Sequence, residues 1–315
     1  MRRNGGEAVK GYGTERPWSG RLFRRKWRNA LAGLLSVAVL GVVTAGGIAG
    51  AADQFQLGTV VSTATQTIAP DTLHQSLELS SAYGPQRVEV VRVNLNNPWM
   101  ALKTSLSGGQ VIGTKRLSEQ AKEFTGPENE VVAGVNGDFF STGTLRGIPS
   151  DVLIHEGELV ASPGSGYAFG VTASGQPVIG KPQWRVDVVI DGVAYPVDLL
   201  NRERAADSLV LYTPRFAPTT MTNAYGTEAV LAVEKDELVP GEDIAATVEA
   251  VYDRAGNAPL SEDTWVLSGH GKARDVVARL TEGSEVTIRM SLAYPWDAVV
   301  EAVGGHPLLE ENGQI

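Results

Sequence analysis

Beyond residue 75, apolar and polar positions alternate with a period of two, the spacing that puts successive side chains on opposite faces of a strand. Leu77 and Leu79, then Val88, Val90, Val91, Val93 and Leu95, give the first such runs, with Tyr83-Gly84-Pro85 as the turn between them. A third strand is expected over 99–106, opened by Asn96-Asn97-Pro98 and closed by Ser107-Gly108-Gly109. Further strands are predicted at 151–155, 167–171, 183–190, 208–212, 228–233, 244–252 and 285–292. The turns between them are marked by Gly, Pro and Asp, as in Ser174-Gly175-Gln176-Pro177. Helical spacing is confined to 114–124, where Leu117, Ala121 and Phe124 share a face, and 270–280, where Ala273, Val276, Val277 and Leu280 do. Residues 130–135 form a short continuous apolar run, read as a buried strand that delivers the chain into Asn136-Gly137-Asp138-Phe139-Phe140. The pattern predicts an α+β fold, dominated by mixed or antiparallel sheet, with two or three short helices. No internal repeat is evident.

The first 73 residues break this pattern. Residues 1–29 hold nine Lys/Arg against Glu7 and Glu15, and residues 30–48 are uncharged and apolar. Ala49-Gly50-Ala51 then offers a small-residue cleavage site. That order is the one a secretory signal requires, with cleavage expected after Ala51; an uncleaved anchor is the alternative reading. Arg24-Arg25 is a twin-arginine pair in a loose context. Residues 52–73, rich in Thr, Gln and Ala, read as a linker or a loosely held first strand, and 74–315 as the working domain.

Charge and composition narrow the function classes. Beyond the basic leader, 18 Lys/Arg face 34 Asp/Glu, so the body repels nucleic-acid phosphates, and membrane contact is expected only through an uncleaved leader. Cysteine is absent, which excludes disulfide scaffolds, thiol catalysis and cysteine-ligated metals. The four histidines, His74, His155, His270 and His306, have no metal-site spacing. No cofactor is evident, and a divalent cation stays open because the body is rich in carboxylates without a calcium-loop motif.

The informative stretch is 131–160. A buried strand ending in Asn-Gly-Asp presents Asn136 and Asp138 at a strand terminus, with Gly137 allowing close approach and Phe139 and Phe140 expected to anchor the turn in the core. An ordinary turn closing a strand would read the same way. Arg146, the cation of the following Gly- and Pro-shaped loop, suits phosphate or carboxylate recognition, or else a solvated ion pair. Glu228 is read as a strand-edge surface residue, with a second site carboxylate as the alternative.

The run from Asn136 to Val160 resembles the signature of the phosphodiester glycosidase family, of the N-acetylglucosamine-1-phosphodiester α-N-acetylglucosaminidase type. Asn136, Phe139, Phe140, Gly147, Pro149 and Gly157 carry the likeness. Asn201-Arg202, residues 209–213, Thr222-Asn223 and Gly226-Thr227-Glu228 are similar to a second part of that pattern. Gly304-Gly305-His306-Pro307 with Asn312-Gly313 is similar to a third. Together the segments cover roughly 75–315. Two family elements, a His-Pro-Arg-Thr type motif and an Asp-Gly-Gly-Gly-Ser motif, have no counterpart before Ile315, so the domain is expected to be incomplete at its C-terminus.

The resemblance implies an exported hydrolase that cleaves sugar 1-phosphodiesters in envelope or exopolysaccharide glycans. Asp138 is then the candidate carboxylate, with Asn136 hydrogen-bonding a sugar or phosphate oxygen. Arg146 and Arg202 become candidate phosphate contacts, and Gly304, Gly305 and His306 candidate lining of the same pocket. The alternative is a catalytically incomplete glycan-binding or structural envelope module of the same family.

Overall fold

The computed structural model describes residues 58–310 apart from Asp236 and His306. The leader and its cleavage site lie outside the described residues. Among the described residues no helix is long and apolar enough to cross a membrane.

Three sheets carry the fold. The first is an antiparallel meander of β1 (Thr59–Ala69), β2 (Thr72–Ser81) and β3 (Gly84–Val93). β1 thus occupies half of the stretch read as a linker or loosely held strand, and nearly all of it is exposed.

The remaining strands follow α1 (Leu117–Phe124). They are β4 (Leu153–His155), β5 (Glu158–Ala161), β6 (Tyr167–Thr172), β7 (Pro177–Gly180), β8 (Trp184–Ile190) and β9 (Val193–Pro196). Then come β10 (Leu199–Leu200), β11 (Leu209–Tyr212), β12 (Gly226–Val233), β13 (Asp243–Asp253) and β14 (Thr264–His270). After α2 (Arg274–Val277), β15 (Glu285–Leu292) and β16 (Val299–Gly305) complete the set. An eight-stranded curled sheet has the order β10-β11-β14-β12-β13-β15-β8-β9, and a five-stranded sheet the order β5-β4-β16-β6-β7.

Sequence alternation explains where these strands lie. In β15, Val286, Ile288, Met290 and Leu292 are buried while Glu285, Arg289 and Ser291 face solvent, as expected for a strand with one wet face. In β11 all four residues are buried, matching its unbroken apolar run. Leu209 and Leu211 join the cluster shared with Ile154, Ala168 and Ala302 of the five-stranded sheet. Val210 and Tyr212 join a second cluster with Val160, Phe216 and Val266. The β4–β5 turn uses Glu156 and Gly157, both at positive φ (52° and 90°), the conformation a tight hairpin demands.

The expected α+β class is corrected: the fold is mostly β. α1 buries none of its residues, so its apolar stripe adds no core. The helix expected over 270–280 shrinks to α2 after a 3₁₀ turn, because Gly271 at φ 56° breaks the spacing. Two expected strands are absent. Residues 99–106 are irregular, and so is the apolar run 130–135, which pairs with no strand among the described residues. Val135 is 86% exposed, and Phe139 and Phe140 are exposed rather than anchored in the core. Periodicity reports a chain's demand for burial, but a strand also needs a neighbour with free backbone groups.

Candidate functional site

The segment after the unpaired run crosses β16. A Cβ on Gly137 would lie 2.4 Å from Val303 Cγ2, so Gly137 allows the chain to pass against this strand. The next residue, Asp138, rests on Gly304: a Cβ there would sit 2.7 Å from Asp138 Oδ2 and 2.4 Å from Asp151 Cβ. Two segments more than 160 residues apart in sequence therefore meet at Asp138, where the missing side chain of Gly304 makes the room.

Asp138 Oδ2 accepts the Asp151 backbone N–H at 2.5 Å. Its Oδ1 is buried without a hydrogen-bond partner. Burial raises the Asp138 pKa above the usual carboxylate range, with a further rise from the Asp151 charge. The Asp151 and Phe139 backbone amides and the Arg202 cation pull the other way. Asp151 itself is buried at 4% exposure, and its Oδ1 accepts the Gly166 N–H at 2.8 Å. Gly164 and Gly166 pack on it so closely that a Cβ on either would fall 2.6 Å and 2.2 Å from its carboxylate oxygens. Three glycines thus enclose two neighbouring aspartates.

Arg202 closes this arrangement from below. Its Nε donates to the Ser162 carbonyl at 2.9 Å and its Nη2 to the Asp151 carbonyl at 2.7 Å. Nη2 also donates to the Ser162 carbonyl, and Nη1 to the Pro149 carbonyl. Burial lowers its pKa, opposed by the Asp151 and Asp138 charges. The guanidinium expected to contact a phosphate is spent largely on backbone carbonyls. Asn201 beside it is fully buried at φ 50°, bonded to the Val160 carbonyl, the Thr213 hydroxyl and the Thr213 N–H.

Among the described residues, the side chains of Asn136 and Arg146 make no hydrogen bond to this cluster. Asn136 is exposed, as is Arg146, whose backbone carbonyl accepts the Gly113 N–H. Gly305 faces open space, and His306 lies outside the described residues. Sequence reading missed Asp151, Ser162, Gly164 and Gly166. The signal was Ser162-Pro163-Gly164-Ser165-Gly166, a glycine-rich turn directly after a buried strand. An open cleft of about 570 Å³ at the end of the meander, lined by Thr67, Asp71, Arg92 and Asn94 among others, contains none of these residues. Among the described residues no group of three or more His, Asp or Glu could hold a metal ion.

Glu158, Glu228 and Glu301 are further buried carboxylates. Glu228, read as a surface residue, is instead fully buried, because β12 lies inside its sheet between β13 and β14. Glu301 on β16 accepts the Thr104 N–H and hydroxyl at 3.0 and 2.8 Å and pairs with Lys103 at 3.0 Å, with His155 at 3.6 Å. Although burial opposes ionisation, His155, the Thr104 amide and Lys103 hold its pKa below the usual value.

No profile of a known protein family matches the sequence, and no curated protein matches it. Solved structures do share the fold. A hypothetical protein from Synechocystis superposes with a TM-score of 0.63 at 17% identity, over 79% of this chain and 44% of that one. The "Putative exported protein" of Burkholderia pseudomallei K96243 gives 0.58 at 16% identity, over 78% of this chain and 72% of that one. The chain therefore spans less than half the length of the Synechocystis protein, and the likeness to both is one of fold.

Proposed function

We propose that this chain is an exported glycosidase that hydrolyses sugar 1-phosphodiesters of the N-acetylglucosamine type in envelope or exopolysaccharide glycans, similar to the phosphodiester glycosidases. The observation that carries the reading is the meeting of Asp138 with Gly304, which joins two of the segments that resemble that family. Arg202, from a third such segment, supports the same cluster through the carbonyls of Pro149 and Asp151. The apolar leader and the exported Burkholderia fold relative support export.

In this reaction the oxygen of water bonds to the anomeric carbon as the bond from that carbon to the phosphate oxygen breaks. The electron pair leaves with the phosphate, giving free sugar and a phosphomonoester, so strong acid assistance to departure is not needed. Asp138 acts as the base that takes the proton of the attacking water, and its charge opposes the positive charge growing on the sugar ring. Phe139 and Phe140, which follow it in the chain, are exposed and offer apolar surface to a sugar.

The test is to incubate the full-length chain with UDP-N-acetylglucosamine, a soluble sugar 1-diphosphate ester whose hydrolysis at the anomeric carbon releases UDP, and assay free N-acetylglucosamine. Release that is lost in Asp138→Asn is the expected result. Binding without release by the wild type would replace this reading with the glycan-binding module. That alternative gains from Arg202 being committed to carbonyls.

A further inference from the structure

Asp138 Oδ2 accepts the Asp151 N–H, and the residue that supplies that bond is itself tied down at several points. The Asp151 N–H reaches Asp138 Oδ2, the Asp151 carbonyl accepts from Arg202 Nη2, and the Asp151 carboxylate accepts from Gly166. Arg202 ties Asp151 to two other backbone points, Pro149 and Ser162. The charged groups that act on Asp138 are then a like charge on one side, Asp151, and a cation on the other, Arg202. Resting on the proposed reaction, we propose that Asp151 and Arg202 are opposed positioning residues. Asp151 strengthens Asp138 as a proton acceptor, while Arg202 keeps it ionised and fixes the amide that aims it.

This assigns Arg202 a role other than gripping phosphate. Its donors are directed into the protein, and its burial would make an anion compete with three carbonyls for the same N–H groups. Of the two Asp138 oxygens, Oδ1 is buried and has no hydrogen-bond partner.

The experiment follows the side-chain carboxyl carbon of Asp138 by ¹³C NMR across pH in the full-length chain, with the resonance identified by its loss in Asp138→Asn. Asp151→Asn keeps the shape and the acceptor for Gly166 but removes the like charge, and is expected to lower the titration midpoint of Asp138 by about one pH unit. Arg202→Met removes the cation and is expected to raise it by a similar amount. Shifts in opposite directions support the assignment. Shifts in the same direction, or no shift, overturn it, because simple loosening moves both variants toward the solvent value. If Arg202→Met does not fold, Arg202→Lys retains the charge; the midpoint must then stay near that of the wild type while Asp151→Asn lowers it, and any other outcome sinks the idea. The readout needs no turnover, so opposed shifts without sugar release from UDP-N-acetylglucosamine would remove the reaction and leave the positioning roles.

Discussion

Glu228 is a buried carboxylate and Asp138 a half-buried one, and their surroundings differ in one decisive respect. Both oxygens of Glu228 are satisfied: Oε1 by the hydroxyls of Thr222 and Ser268 at 2.8 Å, Oε2 by Thr220 at 3.1 Å and the Ala258 N–H at 3.0 Å. Arg204 stands 3.8 Å away. Such a charge is stabilised by groups placed around it, and it knits β12, β14 and the 220–222 loop together. Asp138 has one bonded oxygen and one buried, idle oxygen. The comparison sets a carboxylate whose bonds hold the fold together against the one that the proposed reaction would use.

The sharpest way to break this contrast is to neutralise each carboxylate without changing its shape. Asp138→Asn is expected to cut sugar release from UDP-N-acetylglucosamine about 100-fold or more, a general base contributing that much. Its unfolding midpoint in urea should stay level or rise, since an incompletely paired buried charge is removed. Glu228→Gln is expected to do the reverse. Its amide would turn donors toward donors and cost about 3 kcal/mol of stability in urea unfolding, while the folded fraction keeps its activity. A stable Glu228→Gln, or an unstable Asp138→Asn, would erase the distinction.

Glu158 stands between the two cases and gives the comparison a pH dependence. Arg215 Nε bonds its Oε2 at 2.7 Å, but Oε1 is buried and unpartnered. Burial raises its pKa to about 7, against the pull of Arg215. The folded state thus resists ionisation where the unfolded chain ionises near 4.5. Both states are protonated below that value, so the penalty is absent there. It builds as pH rises from about 4.5 to 7 and is constant above, reaching at most about 3 kcal/mol. Glu158→Gln should flatten this part of the stability curve in urea titrations between pH 4 and 8; an unchanged slope would assign the dependence elsewhere.

Much of the sheet was legible because its strands carry their own evidence. β15 alternates along its length and β13 over 243–249, and β11 is apolar throughout because it is covered on both faces. The apolar run 130–135 misled for the converse reason: its composition asks for a partner strand that the described residues do not supply. Asp138 was legible as a polar residue between a glycine and aromatics, but Asp151 was not. What makes Asp151 part of the site is its packing against Gly164, Gly166 and Gly304, a contact that period and spacing do not encode. Arg202 was legible as a site residue and not as a strut, since nothing local reveals that its donors meet three carbonyls. Glu228 was misplaced at the surface because a Thr- and Ser-lined polar pocket is assembled from residues up to 40 positions away.

The smallest expected effects come from the two adjacent glycines of β16, and they test the site at the resolution of one methyl group. Gly304 has a hypothetical Cβ 2.4 Å from Asp151 Cβ and 2.7 Å from Asp138 Oδ2, whereas Gly305 has nothing within 4 Å. Neither residue has the positive φ that would itself penalise alanine. Gly304→Ala should therefore push the two aspartates apart, costing about 2 kcal/mol in urea unfolding and weakening sugar release. Gly305→Ala should change stability by no more than about 0.5 kcal/mol and leave release unaltered. Because the two substitutions share chemistry, strand and backbone conformation, a difference between them measures the space in front of Asp138. Equal effects would mean that Gly304 is a strand residue like its neighbour and that the aspartates do not depend on it.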